Sequence, residues 1–266
     1  MRRPLLCLLV GALLTACGTP AKRPPWGSDT TYAPGWRRLG EVAKRAVSNP
    51  QVWAPLAGAA LFTLGDADEE VSEWAIEETP LFGDIAEAKE ASDTLLGLSV
   101  AGAIGTALLA PSGEGAGEIA GNKSRGLIIS LVAAGVNDRV TEALKDAVGR
   151  DRPDGQAGRS FPSRHASGAS VASALAVHNL EYFDLSDRQR GWLALALYSN
   201  AALTGWARVE GARHFPSDVL FGYALGHFLG LVANEAFIAP ISKDRVALQL
   251  SGDAEAVRLS LVFQNW

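Results

Sequence analysis

From Trp36 onward, apolar residues recur at helical spacing along most of the chain. The stretch WRRLGEVAKRAVSN (36–49) is amphipathic, and QVWAPLAGAALFTLG (51–65) is apolar until Gly65 ends it. Residues 66–83 are acidic and read as a short helix followed by a loop, the acidic side chains forming a solvated face. SDTLLGLSVAGAIGTALLAP (92–111) opens on Ser92, a good helix cap, and stops at Pro111. Four longer helices are predicted at about 125–149, 164–181, 189–207 and 217–238, joined by RDRPDGQAGRSFPS, YFDLSDRQ and RVEGARHFPS. In the tail the period changes to two: Val246, Leu248 and Leu250 alternate with polar residues, SGDA can turn, and Leu259, Leu261 and Phe263 alternate again. The pattern predicts an all-α helical bundle over residues 36–240 and a small C-terminal β-hairpin over 241–266.

Two helices are apolar enough to raise the question of a membrane span. The one at 95–110 is short of the roughly 20 residues a span needs. The one at 219–240 contains His227 and Glu235, which are costly in hydrocarbon. With a mean hydropathy of +0.10, the reading favours a soluble helical domain.

The N-terminus adds an address. MRRPLLCLLVGALLTAC has a basic start, a short apolar run and a small-residue site, the plan of a secretory signal. Its ending, Leu14-Thr15-Ala16-Cys17, resembles a bacterial lipoprotein signal, which makes residues 1–16 the signal peptide and Cys17 the lipidated residue. Residues 17–35, rich in Pro, Gly and Thr, then read as lipidated cysteine and flexible tether. Gly18 after the cysteine is similar to the outer-membrane sorting pattern. The expected location is therefore the bacterial cell envelope: lipid-anchored, facing the periplasm, on the outer membrane. Cys7 lies inside the signal, so the folded domain has neither free thiol nor disulfide. The net charge is −5 and no long basic run occurs, which excludes a nucleic-acid partner.

Chemistry gathers in three blocks. Lys145 is followed after six residues by Arg152-Pro153; Pro162-Ser163-Arg164-His165 comes next; Arg208 is followed after five residues by His214 and after three more by Asp218. In an up-down antiparallel bundle, the first and third of the long connections lie at the same pole, so these blocks meet. Lys145, Arg152 and Arg208 are cations that call for an anion, and guanidinium forks suit phosphate oxygens. Ser163 at a helix start presents backbone N–H groups to the same anion. His214 and Asp218 are four apart at a helix entry, a spacing that can bring carboxylate to imidazole, fix the tautomer and leave the other nitrogen as a nucleophile. His165, across the cluster, suits a general acid.

These blocks resemble the signature of the type 2 phosphatidic acid phosphatase superfamily, which also holds bacterial class A acid phosphatases and vanadium haloperoxidases. The signature is Lys, six residues, Arg-Pro; Pro-Ser-Gly-His; and Ser-Arg, five residues, His, three residues, Asp. The resemblance implies a helical bundle of the acid phosphatase/vanadium haloperoxidase type. It makes His214 the nucleophile that becomes a phosphohistidine, Asp218 its orienting partner, and His165 the acid and then the base. Lys145, Arg152, Ser163 and Arg208 would hold the phosphoryl oxygens, without metal or other cofactor. Two positions depart from it. Arg164 replaces the glycine and could add a phosphate-binding cation or narrow the pocket, and Ala207 replaces the serine.

The leading expectation is a phosphatase acting on phosphate monoesters, with lipid phosphates such as phosphatidic acid or a prenyl diphosphate as substrates because the tether keeps the domain at a bilayer. A polar pocket rim would favour soluble esters instead, and an apolar rim lipids. Vanadate-dependent halide oxidation and a non-catalytic anion-binding envelope protein are the remaining classes. His178 and His227 read as helix-face or core residues, and Asp151, Asp154, Glu210 and Arg213 as solvated loop charges.

Overall fold

A computed structural model describes residues 24–239, 244–252 and 257–265. The expected signal peptide, Cys17 and the start of the expected tether lie outside the described residues, as does Trp266. Eight α-helices are described: α1 (Trp36–Ser48), α2 (Pro50–Phe62), α3 (Ala67–Glu78), α4 (Ile85–Leu109), α5 (Ala116–Val148), α6 (Arg164–Asn179), α7 (Asp187–Glu210) and α8 (Pro216–Val232). The last continues as a π-helical turn, Ala233–Ile238. Strands β1 (Asp244–Gly252) and β2 (Val257–Asn265) pair antiparallel, with Val246 opposite Phe263 and Leu248 opposite Leu261.

Local chemistry sets the ends. Asn49 caps α2 by accepting from the Gln51 amide, with Pro50 in the first turn, and Ser186 and Gln189 form a capping box on α7. At α4, Asp84 accepts from the Glu87 amide, so the helix starts seven residues before Ser92. Ser92 is buried two turns inside it. α5 stops at Gly149, whose φ of 64° is the left-handed conformation a side chain disfavours.

The centre of the bundle is α6, whose Ala/Ser surface is buried nearly all round. Small side chains let neighbouring backbones approach closely. A Cβ on Gly222 of α8 would stand 2.6 Å from the Ser163 carbonyl oxygen, and one on Gly226 2.1 Å from that of Ser167. The buried hydroxyls are satisfied across helices: Ser170 donates to the Tyr223 carbonyl and Ser173 to the Leu197 carbonyl. This contact brings the start of α6 against the start of α8, where the Ser163 amide donates to the Asp218 carbonyl at 3.0 Å.

The segment expected as tether is anchored well before residue 35. Trp26 is fully buried among Ala110, Ile129 and Leu175, and its Nε1 donates to Asn179 at 2.8 Å. An indole buries too much apolar area to be left in a linker. Among the described residues two helices, Ile85–Leu109 and Pro216–Ile238, are long and apolar enough to cross a membrane; the second is mostly buried inside the bundle and the first mostly exposed.

Candidate active site

The loop from Gly149 to Pro162 and the turn from Gly211 to Phe215 meet at one pole and enclose a cavity of about 300 Å³. Lys145, Arg152, Arg159, Arg164, Arg208 and Arg213 line it together with His165 and His214, and Glu142 is the one carboxylate in the lining. Every cation named from the sequence is present. Arg159 and Arg213 join them: Arg159 pairs with Glu142 at 2.7 Å and Arg213 with Asp154 at 3.0 Å.

His214 is buried, and its Nδ1 lies 2.7 Å from the carbonyl oxygen of Ser160, which can only accept. Nδ1 therefore carries the proton and Nε2 keeps its lone pair. Burial, then Lys145, Arg208 and Arg152, push the imidazole well below its ordinary pKa, so it is neutral. The carboxylate of Asp218 stands 3.9 Å from Nδ1. It acts through Ser160, whose hydroxyl donates to Asp218 Oδ2 at 2.6 Å. The four-residue spacing brings the two residues together, but the imidazole N–H bonds the loop carbonyl and not the carboxylate.

Asp218 is fully buried, and its charge is met from three sides. Oδ2 also accepts from the Phe215 amide at 2.9 Å, and Oδ1 pairs with Arg150 at 3.0 Å. Arg150 in turn pairs with Asp68 at 2.9 Å and lies 3.9 Å over the Phe215 ring. Asp68 accepts from the amide and hydroxyl of Ser217. Part of the acidic segment expected on a solvated face is thus a buried support of the site. Glu210, expected as a loop charge, is likewise buried, accepting from the Leu81 and Phe82 amides and from Trp206.

Lys145 sits beneath the pocket. Its ammonium donates to the carbonyls of Arg159, Ser160 and Pro162 at 2.9, 3.3 and 2.6 Å. It therefore holds the loop that carries the Ser160 carbonyl while adding its charge to the cavity. Burial first, then Arg152 and Arg159, lower its pKa to about 8, with Glu142 opposing. Arg208 is held by Ser92, 2.9 Å from Nη1, and burial foremost lowers its pKa to about 10. Arg152 contacts Gln156 and the Arg159 carbonyl. Ser163 caps α6 by accepting from the Ala166 amide, and Arg164 is exposed at the rim.

His165 faces the cavity from the start of α6, and its Nε2 lies 2.7 Å from Asp93 on α4. Beyond it a second cavity of about 480 Å³ opens between α4, α5 and α6, lined by Leu96, Val100, Ile104, Leu127, Leu131, Val171 and Leu175. Asp93, Arg164 and His165 close one end of this trough. Arg164 and His165 line both cavities. Of the other histidines, His227 is buried between Tyr198 and Tyr223, and His178 bonds the Ala174 carbonyl in its own helix. Among the described residues, no group of three or more His, Cys, Asp or Glu side chains converges as a metal cluster.

The two histidines thus stand in a cationic pocket at one pole of a helical bundle, a lining suited to an anion. Residues 126–239, the region that carries His165, His214 and Asp218, match the model of the PAP2 superfamily. A stretch of 91 residues is 40% identical to the lipid A 1-phosphatase of Porphyromonas gingivalis; it covers 34% of this chain and only 19% of that relative. The fold aligns with the crystal structure of the transmembrane PAP2-type phosphatidylglycerolphosphate phosphatase of Bacillus subtilis. The alignment has a TM-score of 0.51 and 21% identity and covers 71% of this chain and 94% of that one. Asp68, Ser92 and Asp93 lie outside the matched region.

Proposed function

We propose that this chain is a phosphatase that cleaves phosphate monoesters of lipids through a phosphohistidine on His214. The observation that carries the reading is that the cationic cavity and the apolar trough border each other at Arg164 and His165, which line both. A phosphate held by the cations can direct its ester oxygen toward His165 and its hydrocarbon into the trough. Soluble esters have no use for such a lining, whereas pockets of a few hundred Å³ with apolar walls and a few polar groups are the usual ligand sites. The two relatives above are named for lipid phosphates, which supports the same substrate class.

In the first step the Nε2 lone pair of His214 attacks phosphorus, the ester P–O bond breaks, and His165 gives its proton to the departing alkoxide. In the second, water attacks the phosphohistidine, its proton passes to His165, the P–N bond breaks and inorganic phosphate leaves. Arg152, Arg164 and Arg208, with Lys145 beneath them and the amides at the start of α6, offset the charge on the phosphoryl oxygens. Cys17 as a lipid anchor would hold this pocket at the envelope membrane facing the periplasm, in keeping with the exposed apolar face of α4.

The test is phosphate release from phosphatidic acid in detergent micelles, by the chain and by His214→Ala. Release by the parent and not the variant supports the reading. Equal release by both contradicts the assignment of His214, and silence from both contradicts phosphatidic acid as substrate.

A further inference from the structure

His165 is the ring on the line between phosphate and hydrocarbon. It borders both cavities, so the oxygen joining phosphate to tail must pass beside it. One of its two nitrogens, Nε2, is already engaged, 2.7 Å from Asp93 Oδ1. Asp93 comes from α4, outside the superfamily match, and is largely exposed at the mouth of the trough.

We propose that Asp93 is the positioning residue that makes His165 an acid: it grips the imidazole by Nε2, turns Nδ1 over to the ester oxygen and stabilises the imidazolium. The proposal rests on the phosphatase reading above and assigns the proton donor's partner within it. The charges around the ring explain why such a partner is needed. Arg164 on its own helix and Arg208 on α7 face it, Asp138 on α5 lines the trough with it, and Lys145, Arg152, Arg159 and Arg213 line the cationic cavity, with His214 neutral and Glu142 paired to Arg159. An imidazole among so many cations loses its proton readily. Burial foremost, then Arg208 and Arg164, lower the pKa of His165, and Asp93 opposes them. When the substrate phosphate neutralises the guanidiniums, the carboxylate is left as the dominant partner, and the imidazole holds a proton at the moment the ester bond breaks.

The proton is needed only when the leaving group is a poor one, and this separates a positioning role from a structural role. Asp93→Asn is near in shape and exposed, so the fold should survive it. We would compare kcat/KM of the full chain and Asp93→Asn in detergent on dodecyl phosphate, whose alkoxide needs the proton, and on 4-nitrophenyl phosphate, whose phenolate does not. The expected result is a loss of roughly tenfold to a hundredfold on dodecyl phosphate, part of the general-acid contribution of about 10²–10⁴. The change on 4-nitrophenyl phosphate should be under about threefold, well short of that contribution. With orthovanadate bound, the His165 imidazole should titrate at lower pH in Asp93→Asn than in the parent by nitrogen NMR. Equal loss on both substrates, no loss on dodecyl phosphate, or an unmoved titration would overturn the proposal. A parent that hydrolyses neither substrate would instead contradict the phosphatase reading, and the NMR titration would still judge Asp93.

Discussion

His214 and Asp218 are linked through Ser160: its carbonyl accepts a hydrogen bond from His214 Nδ1 at 2.7 Å, and its hydroxyl donates to Asp218 at 2.6 Å. Backbone thus fixes the tautomer of the proposed nucleophile, and the carboxylate fixes the backbone. Ser160→Ala keeps the carbonyl but removes the tie to Asp218. A hydrogen bond to a charged group contributes about 1.5–3 kcal/mol. We expect kcat to fall about tenfold, on the scale of one such bond, with KM little changed, measured on any accepted phosphomonoester. A kcat equal to the parent's would mean that the tie does nothing for His214.

Arg150 serves two buried carboxylates at once, Asp68 and Asp218. Removing a partner from a buried pair leaves an uncompensated charge, a loss of about 3–5 kcal/mol. Arg150→Met should therefore destabilise the fold by about that amount in urea unfolding. Pairing it with Asp68→Asn should recover part of the loss, because one of the stranded charges is gone.

Lys145, with its pKa near 8, loses its charge as pH rises through that value. Above it the cavity has one cation fewer, while a phosphate monoester is already dianionic. KM should rise as pH passes from about 7 to about 9 with kcat changing less, read from initial rates at saturating and limiting substrate. The sign is fixed by the direction of titration: deprotonation weakens binding of the anion.

The trough predicts a selective defect. Ala134, on its α5 wall, lines the trough and not the cationic cavity. Ala134→Trp should lower kcat/KM for dodecyl phosphate at least tenfold and leave 4-nitrophenyl phosphate unchanged, since each excluded methylene forfeits about 0.8 kcal/mol. Equal activity on both substrates would mean that the hydrocarbon lies elsewhere.

Gly226 lets α8 lie against the backbone of α6, and Gly226→Ala would drive a methyl into the Ser167 carbonyl. Overpacking of this kind costs about 1–3 kcal/mol. The expected outcome is a lower Tm with a parallel fall in activity, because the same helix contact joins Ser163 to Asp218.

The helices and the three signature blocks were legible in the chain because they are local: spacing, caps and a bundle's up-down order are written in consecutive residues. The central position of α6 could be read only in part, since an Ala/Ser-rich helix looks the same buried or exposed until Gly222 and Gly226 are seen facing it. What supports the site was not legible. Asp93, Asp68 and Arg150 reach it across separations of about 70 residues or more, and no spacing rule connects them to His165 or Asp218. Ser92 looked like a cap because Ser before an apolar run is one, but Asp84 captured that role and freed Ser92 to hold Arg208. Ser160 was hidden in a loop, and its main contribution is a carbonyl, which every residue has.

The central claim is that His214 Nε2 bonds to phosphorus. The most direct measurement is rapid quenching, at alkaline pH, of the chain with a lipid phosphate, followed by mass spectrometry of the peptide that contains residue 214. The account predicts a phosphoryl group on His214 that is lost on acidification and absent in His214→Ala. Turnover with no phosphoryl group on His214, or the same labelling in His214→Ala, would contradict it.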